Sequence, residues 1–278
     1  MSQATKAKFL ESGRFHQQLK ARVEDVVGGS SYVWGWKHNI FHHSHPNVTG
    51  LDEDIDIQPL CRLAPGQRSS GAHRFQHFYI WVLYGLLPLK WHFIDDFRNL
   101  ISGRIGQQKM PRPTGWKLAG VLGGKVLFIG WALVVPALFH PLWQVALGYA
   151  LTSFVLGVTL STVFQLAHCV EEAEFREVPR DSLTFPREWA VHQVETTVDF
   201  ARGNSLLSWY LGGLNFQVEH HLFPRVSHLH YPALSRIVEQ TCREHGVRYR
   251  SQRGLGAALR SHVRWLKRMG QPVLGGAT

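Results

Sequence analysis

Leu142 to Phe164 reads LWQVALGYALTSFVLGVTLSTVF and contains no charged residue. As a helix rising about 1.5 Å per residue, such a run covers the roughly 30 Å hydrocarbon core of a bilayer. Upstream, Leu118 to Phe139 is similarly apolar apart from Lys125, which sits near enough to one end of the run to snorkel. Phe139-His140-Pro141-Leu142 then reads as the short turn of a transmembrane hairpin, with spans at about 118–139 and 142–164. The alternative is a pair of buried helices in a soluble bundle, but charge-free runs this long are rare in soluble cores. The mean hydropathy of -0.12 hides this arrangement because the rest of the chain is polar. The 278 residues suffice for one large domain or two small ones.

The formal net charge of +10 is distributed asymmetrically: no Lys or Arg lies between Val126 and Gln165. All basic residues therefore fall on one side of the hairpin, and positive charge collects on the cytoplasmic side of membrane proteins. No nucleic-acid partner is expected, since the chain lacks a compact module of basic residues interleaved with exposed aromatics. Cys61, Cys169 and Cys242 are odd in number and widely spaced, which argues against a disulfide framework or a zinc knuckle and for a reducing compartment. Residues 1–27 lack the apolar core of a signal peptide. Phe9, Leu10, Phe15, Leu19, Val23 and Val26 recur instead at helical spacing, predicting a basic amphipathic helix that lies on the membrane surface or packs on the protein. Residues 75–93 are aromatic-rich but interrupted by His77, Pro88, Lys90 and His92, which suits the bilayer interface.

Two histidine clusters flank the hairpin. His38-Asn39-Ile40-Phe41-His42-His43 precedes it and Gln217-Val218-Glu219-His220-His221 follows it. Positions i, i+3 and i+4 share one face of a helix, so Gln217, His220 and His221 point together. His38 and His42 are likewise one turn apart, with His43 beside them. Neutral imidazole is the commonest metal ligand, and two such clusters on one side of the membrane predict a polyhistidine metal site rather than a solvated face. His168 and the carboxylates Glu171, Glu172 and Glu174 follow the second span directly. Such groups are costly against lipid. His168 is thus a further candidate ligand, and Glu171, Glu172 and Glu219 are candidates to orient imidazoles through their free N–H groups. His73 and His77 also have HxxxH spacing but read as part of the interfacial segment. Asp52, Asp54 and Asp56 lack the glycine and distal glutamate of an EF-hand loop.

HNIFHH (38–43), HCVEEAEF (168–175) and QVEHHLFP (217–224) together resemble the motifs of the membrane-bound fatty acid desaturases. GGLNFQVEHHLFPRVSHLHYPAL (212–234) is most similar to the front-end, linoleoyl-CoA-desaturase-like group. The resemblance runs from about Gly28 through the C-terminal region, making residues 28–278 a desaturase-like domain. It implies an all-α integral membrane protein whose cytosolic helical cap carries the histidine boxes. It also implies two non-haem irons, with His38, His42, His43, His168, Gln217, His220 and His221 as ligands. The implied reaction uses O2 and two electrons from an external donor, such as cytochrome b5 or ferredoxin, to remove two hydrogens from a fatty acyl chain held as acyl-CoA or acyl lipid.

One departure stands out. The family has a first box, HxxxH or HxxxxH, preceded by a hairpin, whereas here no apolar span precedes His38 and the only upstream histidine is His16. The chain reads as lacking that box and that hairpin. Three outcomes stay open at this level: a desaturase, a related acyl-chain hydroxylase, or a truncated, non-catalytic relative with an incomplete metal site.

Overall fold

The computed structural model describes residues 29–178 and 188–272. The amphipathic helix expected over residues 1–27 lies outside the described residues. In chain order, α1 (Ser31–Trp34) continues as a π-helical segment, Gly35–His42, and α2 (Gln76–Lys90) runs through a π-helical turn, Trp91–Asp95, into α3 (Asp96–Ser102). The hairpin follows as α4 (Trp116–Ala137) and α5 (Leu142–His168). The remaining helices are α6 (Trp189–Thr196), α7 (Ser205–Tyr210), α8 (Gln217–Leu222), α9 (Tyr231–Glu244) and α10 (Leu255–Met269). Strands β1 (Val48–Thr49), β2 (Arg104–Ile105), β3 (Gln108–Lys109), β4 (Arg176–Glu177), β5 (Asp199–Phe200) and β6 (Ser251–Gln252) are two residues each. β1–β4 and β5–β6 pair in parallel and β2–β3 antiparallel, so they act as clips between loops in an all-α protein.

Among the described residues two helices, α4 and α5, are long and apolar enough to cross a membrane, and the most apolar stretch of each is only 22% buried within the protein. Leu122, Val126, Leu127 and Trp131 of α4, and Leu147, Leu151 and Val155 of α5, all face outward. A helix in a soluble core would bury such side chains, so this surface fits contact with lipid. Lys125 differs from its expected role. It turns inward instead of snorkelling, pairs with Asp96 of α3 at 2.7 Å and donates to the His92 carbonyl at 3.1 Å. A buried carboxylate within reach is a better partner than a distant headgroup, because an unpaired buried charge is far costlier than a paired one.

α2 packs closely along α5. A Cβ on Gly157 would overlap the carbonyl of Tyr84, and one on Gly85 would overlap the ring of Phe154. Small residues at a crossing let helix backbones approach, which replaces the hydrophobic drive missing in lipid. Below the hairpin, Ile55, Leu63, Ile80, Tyr84, Cys169, Trp265 and Leu266 form the largest buried apolar cluster. It ties α2, the end of α5 and α10 into one cap and fixes the direction in which α5 delivers His168.

Candidate metal centre

The first cluster depends on an irregular winding. Over Gly35–His42 the helix is π-type, and the backbone N–H of His43 bonds the carbonyl of His38, an i→i+5 step. The wider turn brings both His42 and His43 back over His38, which an α-helix would not do for adjacent residues. Ring centroids are 4.9 Å apart for His38–His42 and for His38–His43. Trp34 stacks on His38 at 4.4 Å, and Phe164 lies 5.7 Å away, so the imidazole sits in an aromatic slot.

α8 brings the third motif to the same place by ordinary α spacing, and α5 ends there with His168. Two imidazole triads result: His38, His43 and His220, and His42, His168 and His221, the nitrogens within each lying within 4.8 Å of one another. The triads adjoin, because His43 and His221 stack at 4.4 Å. Gln217 lines a small void of about 10 Å³ with His38, His42, His168 and His220. All seven residues expected from the sequence thus converge.

Their orientation comes from residues that sequence reasoning passed over. His42 Nδ1 donates to Asp52 at 3.0 Å, His38 Nδ1 to Asp54 at 3.2 Å, and His221 Nδ1 to the Gln193 amide oxygen at 3.0 Å. These acceptors fix the tautomer and leave each Nε2 lone pair free to bind a cation, as partners behind metal-bound histidines do. Asp52 follows His42 by ten residues, and its aspartate-rich loop was the available signal. Gln193 carried no signal. Asn47, at φ 57, shapes the intervening turn, and its amide bonds the carbonyls of His168, Glu174 and Thr196 at 2.9, 3.1 and 3.1 Å.

The predicted carboxylate partners lie elsewhere. Glu172 accepts from Gln252 at 2.7 Å and Ser261 at 2.5 Å, and Glu171 approaches Arg264 at 3.5 Å, so both hold α10. The chain turns immediately after His168, which carries them off the histidine side. Glu219 lies on the opposite face of α8 from His220 and His221, with its carboxyl oxygen 3.0 Å from the Tyr249 hydroxyl, whose other hydrogen-bond neighbour is Asp199. Burial, then the Asp199 charge, pushes Glu219 up to about 9, so it is a neutral acid near pH 7. His73 accepts the Ser70 N–H at 3.1 Å and bonds the Pro59 carbonyl at 2.9 Å, a capping role far from the cluster.

Electrostatics favours neutral imidazoles in most of the cluster. Burial and the neighbouring rings hold His43 and His221 far below the ordinary range, and burial lowers His38. Burial opposes charge on His42 too, but the adjacent Asp52 and Asp54 outweigh it and raise its pKa. Burial alone would raise Asp54, yet Lys37 at 3.0 Å and the histidines hold it well below the usual carboxylate range. The donors fit a cation: His43 Nδ1, His168 Nδ1 and His221 Nε2 are buried without a hydrogen-bond partner, and buried polar nitrogens are rarely left so. Nitrogen donors with carboxylates behind them suit iron, zinc or copper.

Beside the cluster lies a cavity of about 110 Å³ with an apolar wall of Trp34, Leu83, Leu87, Trp91, Leu160 and Phe164. Asp54 and Gln165 line both this cavity and the void among the histidines. Lys37, Lys90, Asp95 and Arg98 give the cavity a charged margin.

A family model described as fatty acid desaturase matches residues 10–253. The sn-1 linoleoyl-lipid 6-desaturase of a Synechocystis species is 39% identical over 248 residues, covering 89% of this chain and 69% of that protein. The Arthrospira platensis protein of the same name is 36% identical, covering 90% and 68%. An acyl-lipid (8-3)-desaturase of Physcomitrium patens is 37% identical, covering 88% and 52%. No solved structure matches the chain significantly.

Proposed function

The chain belongs to the fatty acid desaturase family, and from that premise we propose that it is a membrane-bound oxidoreductase that uses O2 to place a double bond in a fatty acyl chain. The observation that carries this reading is the pair of adjoining, buried imidazole triads at the end of an apolar hairpin. On this reading His38, His43 and His220 hold one iron and His42, His168 and His221 hold another, with Gln217 beside them as a weaker oxygen donor. Bound iron would supply the activation of O2 and the one-electron oxidation that no side chain provides.

The protein's own part is to position and to exclude. Asp52, Asp54 and Gln193 hold three imidazoles in the ligating tautomer. The wall of Trp34, Trp91, Leu160 and Phe164 receives aliphatic carbon and keeps water from the reacting segment. The relatives' names make a lipid-linked acyl chain the first substrate class to test, before acyl-CoA. The one-sided distribution of the basic residues supports a cytosolic histidine cap, to which an external carrier such as cytochrome b5 or ferredoxin would deliver electrons.

A second reading has one observation in its favour: among the described residues each triad offers a metal only three imidazoles. With three imidazoles per metal, the chain would be a non-catalytic relative if that set binds iron too weakly. Expression in a host fed defined fatty acids, with chromatography and mass spectrometry of the lipids, separates the cases. A new double bond that disappears with His168→Ala supports desaturation. A hydroxylated product instead means a hydroxylase, and unchanged lipids with an iron-poor protein mean the non-catalytic form.

A further inference from the structure

α7 packs on the end of α5 and precedes the third histidine motif in the chain, and its two faces differ. Leu207, followed by Leu211 and Leu214, packs inward against Val163 and Leu166 of α5. Leu206, Trp209 and Tyr210 point out, with Leu206 73% and Trp209 77% exposed. Single apolar side chains on a surface are ordinary, but a leucine, a tryptophan and a tyrosine over little more than one turn call for a partner. At φ +79, Gly213 sets its backbone against His228 and Tyr231, so the loop carrying exposed Leu229 lies next to the α7 turn.

The charge of this region has one sign. Between Gly203 and Ile237 the only acidic residue is Glu219, which is fully buried, while Arg225 and Arg236 are exposed. No carboxylate of this segment is therefore exposed to repel an anionic layer. Its height is set by α5. Starting from Leu142, about 20 residues at about 1.5 Å each cross the hydrocarbon core. That puts the headgroup boundary at the level of Val163, against which α7 packs.

We propose that α7 and the adjoining Leu229 loop form an interfacial anchor, seated in the bilayer that α4 and α5 cross. Trp and Tyr rings favour the headgroup level, where an apolar body and a polar edge are both satisfied. Leucine reaches the first acyl carbons, and Arg225 and Arg236 meet anionic headgroups. The anchor holds the segment leading into α8, with His220 and His221, at the membrane surface. An acyl chain then approaches the histidine cluster from the leaflet rather than from water. This inference rests on reading α4 and α5 as membrane spans.

Cys61, Cys169 and Cys242 are all buried, so a cysteine introduced on the surface accepts a thiol-reactive fluorophore selectively. The full chain would be reconstituted in phosphatidylcholine–phosphatidylglycerol vesicles with a label after Trp209→Cys, Leu206→Cys, Val126→Cys or Glu244→Cys. Each sample is quenched with lipids bearing a nitroxide at a shallow or a deep acyl carbon, and with aqueous iodide. The proposal expects shallow nitroxide to quench labels at 206 and 209 several-fold more than iodide does, deep nitroxide to dominate at 126, and iodide at 244. Iodide quenching at 206 and 209 with lipid quenching at 126 overturns the anchor while leaving the spans intact. Shielding of 206 and 209 from both quenchers means that protein covers α7, which also overturns it. Iodide quenching at 126 removes the spans and the anchor together.

Discussion

Asp52→Asn tests whether the acids behind the histidines set metal affinity. One carboxylate oxygen of Asp52 accepts His42 Nδ1–H at 3.0 Å and the Asp54 N–H at 2.9 Å, and the other accepts the Asn47 N–H at 2.8 Å. Asparagine keeps a single side-chain oxygen for those three donors. If that oxygen stays with His42, the amide nitrogen confronts the Asn47 N–H in a buried position, a mismatch costing about 1–3 kcal/mol of stability. The charge that holds the His42 ring toward His168 and His221 is lost as well. Removing a partner of this kind typically weakens metal binding about 10- to 100-fold, or about 1.4–2.8 kcal/mol. His42 belongs to one imidazole triad and not to the other, so the loss should fall on one binding event. Titrating the detergent-purified protein with Fe(II) or Co(II) against a chelator of known affinity resolves the two events, and circular dichroism checks the fold. The expected result is one event weakened and the other unchanged. Two unchanged events, or two weakened equally, would refute the assignment of Asp52 to His42 and of His42 to one triad.

Two further outcomes follow from buried charge. His192 and His262 are pushed down to about 4 chiefly by burial, with Arg176 adding to the effect on His192. Unfolded, both titrate near 6.5, so the stability from keeping them neutral is complete above pH 6.5 and is lost as pH falls toward 4. That loss is on the order of 3 kcal/mol for each residue. The thermal midpoint of the metal-free protein should drop across that window, with a shallower slope in His262→Gln, and a flat profile would contradict the assignment. Lys125→Met strands Asp96 without its 2.7 Å partner and should cost about 3–5 kcal/mol, whereas Lys125→Met with Asp96→Asn should recover most of that in thermal unfolding. A double variant as unstable as the single one would show that the pair is not coupled.

The hairpin was readable from the sequence because a charge-free run long enough to span lipid has few other uses. The ligand face of α8 was also readable, since Gln217, His220 and His221 follow the α period. Convergence of His42 and His43 on His38 was not, because it depends on π winding that no local pattern in the segment announces. The orienting partners were missed for a related reason. Asp52, Asp54 and Gln193 meet the imidazoles through tertiary packing, while Glu171 and Glu172, nearer to His168 in sequence, are carried to α10 by the turn after α5. Lys125 was misassigned because its position in the run suggested lipid headgroups, whereas its buried partner lies 29 residues upstream at Asp96. Sequence proximity located the clustered histidines well and their hydrogen-bond partners poorly.

On the proposed reading this chain builds two adjacent metal sites from two separate histidine triads. The most direct test is the iron content of the purified, Fe(II)-reconstituted protein alongside His43→Ala and His168→Ala, each of which removes a ligand from a different triad. Two such sites would give near two irons for the unaltered chain, near one for either single variant and almost none for the double. One iron or fewer in the unaltered chain, or two irons retained in His168→Ala, would contradict that reading.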